Sequence, residues 1–217
     1  MTTTEFSDEL DVIYENINKN GAPGLDEYEK SVILTNAQEL LVKKIISVDT
    51  VAHSFPELVT VTESLLPTTD GFDGGYVFDG ITVSLKILNE YILEGTDRYE
   101  VLVVSNEFYR NKKSKPYQFP PRRQAWRMGI KDAGGVTPSV EIFPRNGVVP
   151  DKYVVRYVRK PAPIILEDLS SLVPSVSIDG ETAVHECELN TGWHRDILNL
   201  AATLAEQFYK DGVTNNK

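Results

Sequence analysis

His185, Cys187 and His194 form a His-x-Cys-x6-His pattern, the densest grouping of nitrogen and sulfur donors in the chain. Brought together by a chain reversal, they could ligate zinc, or set a thiol beside an imidazole as a thiol hydrolase does. Zinc sites are normally built from two ligand pairs at two- to four-residue spacing. Here one pair stands alone, and His53 is the sole remaining histidine. A buried thiol with capping or ion-pairing histidines accounts for the same residues without any chemistry. Asp70-Gly-Phe-Asp-Gly-Gly75 lacks the alternating acids and closing glutamate of a calcium loop and reads as a turn. No Gly-x4-Gly-Lys-Ser/Thr or Gly-x-Gly-x-x-Gly run cradles phosphate, and no Gly-x-Ser-x-Gly elbow presents a nucleophile. The residue types therefore predict no enzyme, with no catalytic, cofactor-binding or metal-binding residue. The alternative is a metal-dependent or thiol hydrolase using His185, Cys187 and His194.

Charge says more than chemistry. The chain has 32 acids against 22 cations, a net charge of -10, and a pI of about 4.8, which disfavours bulk DNA binding. Yet residues 108–131 hold Arg110, Lys112, Lys113, Lys115, Arg122, Arg123, Arg127 and Lys131 with no acid at all. Phe108, Tyr109, Tyr117, Phe119 and Trp126 are interleaved with them, and Pro116, Pro120 and Pro121 forbid continuous helix or central strand. This predicts a long, stiffened basic loop over 106–132. Three roles fit it: a solvated excursion, contact with nucleic acid through phosphate neutralisation and base stacking, or a protein interface rich in Arg, Tyr and Trp. Residues 1–30 carry the opposite sign, with eight acids against Lys19 and Lys30. A chain owning both signs can dock head to tail with its own copies, and such a contact makes a ring if the rotation closes. The candidate interface residues are Arg110, Lys112, Lys113, Lys115, Tyr117, Phe119, Arg122, Arg123, Trp126 and Arg127 on the basic side. On the acidic side they are Glu5, Asp8, Asp11, Asp26 and Glu27.

The elements that must carry these residues follow from apolar spacing. Phe6, Leu10, Ile13 and Ile17 line one face of a helix over 5–19. After the breakers Gly21 to Gly24, residues Leu25, Tyr28, Val32, Ala37, Leu40, Leu41 and Ile45 predict a helix over 25–47 with acids first and lysines last. From about 55 to 166 the chain is rich in Val, Ile, Thr, Tyr and Phe, predicting strands at 75–78, 81–89, 99–104, 139–144 and 153–159. Asp79-Gly80 predicts a hairpin between the first two, and 57–66 reads equally as a short helix. Trp193, Ile197, Leu200, Leu204 and Phe208 predict a terminal helix, with Gly212 as its left-handed cap. The expected fold class is α+β: a helical pair (1–48), a mainly antiparallel β-rich core (49–190) bearing the basic loop, and a C-terminal helix (191–212) packed on it, as one domain. One cysteine excludes an intrachain disulfide framework, and no run approaches 18 apolar residues or resembles a signal peptide, so a soluble protein with no membrane partner is expected.

Three stretches carry a resemblance. They are Leu25-Asp-Glu-Tyr-Glu-Lys-Ser-Val-Ile-Leu-Thr-Asn-Ala-Gln-Glu-Leu-Leu-Val42, Tyr153-Val-Val-Arg-Tyr-Val-Arg-Lys-Pro-Ala-Pro-Ile-Ile-Leu166, and Cys187-Glu-Leu-Asn-Thr-Gly-Trp-His-Arg-Asp-Ile197 leading into Leu200-Ala-Ala-Thr-Leu-Ala205. In that order they resemble a head-to-tail connector (neck or ring) virion protein family of tailed bacteriophages, of the crAss-like type. The resemblance implies a structural protein assembled in the host cytoplasm and housed in the neck or tail region of the virion. It further implies self-association as a ring of twelve copies, with the portal protein and other connector or tail proteins as partners and DNA only as passing cargo.

Overall fold

The computed structural model describes residues 1–17, 24–48, 55–64, 74–78, 85–113, 120–131, 138–145, 148–172 and 176–214. They form an α+β fold of two compact units, a helical one (residues 1–58 and 160–217) and a sheet unit (59–159).

Among the described residues, three α-helices build the first unit: α1 (Thr3–Ile17), α2 (Glu27–Ser47) and α4 (His194–Thr214), α3 belonging to the sheet unit below. The start of α1 is set by Thr2 and Glu5, whose side chains each accept the other's backbone N–H. Asp26 and Glu29 make the same reciprocal cap for α2. Phe6, Leu10 and Tyr14 bury one stripe of α1, while the expected Ile17 is exposed. In α4 the buried face is Ile197, Leu198, Ala201, Ala202 and Ala205, which corrects the expected stripe: Phe208 is 58% exposed and Trp193 lies in the 3-10 turn before the helix. Alanines let α1 and α2 approach α4 closely. The helix continues through Gly212 to Thr214, so Gly212 is not its cap.

On α2 the buried stripe is partly polar. Ser31, Thr35 and Gln38 follow helical spacing and are buried, because they satisfy the backbone of the extended segment 162–166. Ser31 Oγ accepts Leu166 N–H at 3.0 Å, Thr35 Oγ1 accepts Ile164 N–H at 3.1 Å, and Gln38 Nε2 donates to Ala162 O at 2.7 Å. Pro161 and Pro163 bring no N–H of their own, and Ala162 N–H goes to Glu188 Oε1 at 2.7 Å. Every donor of this segment up to Leu166 is thus accounted for, Ile165 bridging to His185. Ile165, Leu169 and Ile178 then form a small core with Tyr28 and Val32.

Among the described residues the sheet unit has seven strands: β1 (Val59–Ser64), β2 (Tyr76–Phe78), β3 (Lys86–Glu94), β4 (Asp97–Val103), β5 (Gln124–Lys131), β6 (Pro138–Pro144) and β7 (Lys152–Val158). Their order is β1-β7-β3-β4-β5-β6-β2, antiparallel except for the parallel pair β4–β5. A parallel pair needs a crossover, and the helix α3 (Asn106–Lys113) sits in it. The expected basic loop is therefore corrected: both ends of 106–132 are regular structure, because the three prolines occupy only 116–121. Residues 114–119 lie outside the described ones. The ambiguous 57–66 stretch is a 3-10 turn (Pro56–Leu58) followed by β1. The expected hairpin at Asp79-Gly80 falls on residues 79–84, which are outside the described ones; β2 pairs with β6 at one edge, while β3 lies between β7 and β4. The hairpin that does form joins β3 to β4 through Gly95-Thr96, with Gly95 at φ +58°, where glycine alone avoids a steric penalty.

The sheet curls. Phe78 on the edge strand β2 stacks 5.3 Å from Tyr153 of β7, second from the opposite edge. Its concave face holds Phe78, Ile92, Val101, Ala125, Val140, Ile142, Tyr153, Val155 and Tyr157. On the other face Tyr109 of α3 covers Trp126, Met128 and Phe143. Gly75 is required beside β6, since a Cβ there would stand 2.7 Å from Glu141 Cγ and 2.8 Å from Phe143 Cε1.

Candidate assembly surface

The chemistry-bearing residues do not assemble into a reactive site. His185 is exposed, with Nδ1 2.8 Å from Glu186 O. Cys187 Sγ donates to Gln38 Oε1 at 3.2 Å, and burial pushes its thiol up to about 11, far from a working thiolate. His194 is buried, with Nε2 2.9 Å from Leu189 O; a carbonyl only accepts, so Nε2 carries the proton and Nδ1 accepts from the Met1 amine at 3.3 Å. Among the described residues, no group of three or more His, Cys, Asp and Glu is placed to hold a metal. The hydrolase alternative thus has no centre at His185, Cys187 and His194.

The basic residues divide. Arg110 is exposed on α3, and Lys112 lies 5.5 Å over the Phe108 ring, itself 41% exposed. Lys113 closes α3, and Lys115, Tyr117 and Phe119 are outside the described residues. Arg122 and Arg123 are exposed in the turn entering β5, where they line a concavity of about 410 Å³ with Arg98, Glu100 and Gln124. The turn is held by Glu100 N–H donating to Arg123 O at 2.9 Å, with Arg123 at φ +66°. Arg98 stacks 3.7 Å over Tyr91. Two candidates are corrected. Trp126 is 7% exposed and packs edge-on against Tyr109 and Phe108, so it is a core residue of this chain. Arg127 points into the concave core, 2.7 Å from Glu90 Oε2, an electrostatic contact because its N–H is not aimed at the carboxylate. Tyr153 donates to the same Glu90 oxygen at 2.6 Å, and burial, with the Glu90 charge, holds its hydroxyl far above the ordinary tyrosine range.

The acidic candidates are partly spent on the fold. Asp11 and Glu27 both receive the Lys30 ammonium, at 2.7 and 2.9 Å, and Ser7 Oγ completes its coordination at 2.9 Å. Lys30 is itself buried between α1 and α2, which is what draws those two carboxylates inward. Asp26 and Glu5 cap helices. Asp8 is exposed. Glu9, which the sequence did not single out, pairs with Arg195 at 3.2 Å.

The polarity between regions survives these assignments and is concentrated in the negative charge of the helical unit. The helical unit contains 20 acids and 8 cations, a net of -12, whereas the sheet unit contains 12 acids and 14 cations, a net of +2. The helical unit also carries an apolar groove, unmarked by charge or motif in the sequence, with a volume of about 480 Å³. Among the described residues it is lined by Tyr14, Tyr28, Val32, Ile33, Phe208 and Tyr209, with Leu25 and Glu29 at the start of α2. Among the described residues no helix is long and apolar enough to cross a membrane.

A family profile described as phage tail ring protein 3/4 matches residues 1–64 and 80–217. The chain is 37% identical to a protein of Bacteroides phage crAss001 named ring protein 4/5, covering 97% of this chain and 94% of that one. It is 31% identical to ring protein 3 of the same phage, over the full length of both. A match across almost all of the fold, helices and sheet together, means that the chain belongs to the phage tail ring protein 3/4 family.

Proposed function

We propose that the chain is a non-enzymatic structural subunit of a ring in the head-to-tail connector of a tailed-phage virion. Twelve copies stand side by side about an axis, join the portal protein on one side to other connector or tail proteins on the other, and leave a channel through which DNA passes as cargo. Assembly takes place in the host cytoplasm, and the finished ring resides in the neck region of the particle. The observation that carries this reading is the division of charge, -12 on the helical unit against +2 on the sheet unit. A heterologous contact that pairs unlike ends is the kind that closes into a ring, and electrostatic complementarity sets its register. Family membership supports it, as do the names of the two relatives. Acids facing the lumen would keep DNA from adhering during passage. Averaged electron-microscopy images of particle necks, with the chain placed in the density, test the proposal: twelve copies around the channel are expected, and a chain found only on the capsid surface would refute it.

A further inference from the structure

The groove between α1, α2 and α4 has no assigned role, and its composition describes an occupant. Tyr14, Tyr28, Phe208 and Tyr209 give it aromatic walls, and Phe208 is exposed by 58% where the buried stripe of α4 runs out one turn beyond Ala205. Glu29 lines it, Asp26 adjoins the lining residue Leu25, and the unit around it is strongly acidic. Such a site suits an aromatic side chain flanked by cations: apolar contact at the centre, opposite charges at the rim. The chain itself carries that object. On α3, Phe108 is 41% exposed with the Lys112 ammonium, one turn on along the same face, beside its ring.

We propose that this groove seats the Phe108 flank of α3 from a neighbouring copy of the chain, with Lys112 of that copy meeting the acids at the rim. The inference rests on the ring reading above and adds to it the anchor of the subunit contact. Phe108 enters between the tyrosines and Phe208, displacing water from both apolar surfaces, and the Lys112 ammonium lies over an aromatic face as well as near carboxylates. Charge alone would bring the units together in many orientations, whereas one aromatic in one groove selects a single register.

The test is made in particles assembled with two variants mixed, Phe208→Cys and Phe108→Cys. The native thiol, Cys187, is held against Gln38 and protonated, so it contributes little background. Oxidation is expected to yield mixed disulfide dimers far in excess of a control mixture in which Thr203→Cys, exposed on α4 away from the groove, replaces Phe208→Cys. A ring present in the particle with no excess cross-linking over the control overturns the groove contact and leaves the ring reading standing. Wild-type particles with no ring of this chain overturn both. Independently, Phe208→Glu is expected to be lost from particles while the purified variant melts like wild type; incorporation at the wild-type level would equally end the proposal.

Discussion

Replacing Thr35 with Val isolates the link between α2 and the segment after β7. The two residues have the same shape and nearly the same helix propensity, so the change removes a hydroxyl and little else. Thr35 is 4% exposed and Ile164 fully buried, so water cannot replace the lost partner. The hydroxyl accepts Ile164 N–H at 3.1 Å and donates, more weakly, to Ile164 O at 3.3 Å. A buried donor left unpaired costs about 1–3 kcal/mol, and the added methyl returns at most ~0.8 kcal/mol. A net loss of about 1 kcal/mol is expected, which for a chain of this size lowers the melting temperature by about 2–4 °C. Thr35→Ser keeps the hydroxyl and should cost about 1 kcal/mol, the worth of one buried methyl. Thermal unfolding gives the magnitudes, and amide exchange at Ile164 gives the cause: its protection should fall in the Val variant and persist in the Ser variant. A Val variant as stable as wild type, with the Ile164 amide still protected, would refute the account of the polar stripe.

Lys30 supplies a pH test. Burial alone would lower its pKa, but the hydrogen bonds it donates to Asp11 and Glu27, and their charges, outweigh it and raise the value above 10.5. The contribution to stability is then complete below pH 10.5 and is lost as pH rises through the higher folded value. Urea midpoints measured across that alkaline range should fall more steeply in wild type than in Lys30→Met. Trp126→Ala should cost about 3–5 kcal/mol in urea unfolding as a core truncation, whereas Arg122→Ala, at an exposed turn, should leave stability within ~0.5 kcal/mol. Equal effects of the two would reverse their assignment to core and surface. Cys187 should react slowly with a disulfide reagent at pH 8 in the folded chain and rapidly once unfolded, since its thiol is pushed up to about 11 by burial; fast reaction in the native protein would contradict the buried geometry. Gly75→Ala should lower the melting temperature through the 2.7 Å approach to Glu141, an overpacking worth about 1–3 kcal/mol; an unchanged melt would show that β6 can yield.

Legibility in the sequence followed the range of the interaction responsible. The start of α2 was readable because the breakers Gly21 to Gly24 and the acids of the first turn lie within a few residues of it. The strands β6 and β7 were readable because their apolar runs are long and bounded by turn residues. Residues 106–113 and 124–131 were misread because cations and prolines averaged over the whole stretch concealed a helix and a strand on either side of Pro116 to Pro121. The candidate surface suffered in the same way. Charge counting selected Arg127, Asp11 and Glu27 together with Arg110 and Asp8, yet the first three are held by partners 19 or more residues away or by a buried lysine. Ser31, Thr35 and Gln38 were invisible as a stripe, since polar residues on a helix ordinarily face water.

The amino-acid sequence by itself determined the unlike charge of two regions, the α+β class, the helix starts and the absence of any recognisable reactive motif, because composition and local spacing suffice for each. The tertiary structure alone decided which charges remain on the surface, that β2 and β3 separate to distant places in one curled sheet, and that three helices leave an aromatic groove open. Those outcomes depend on pairings between residues far apart in the chain, whose energies come from burial and from the geometry of partners that no local pattern encodes.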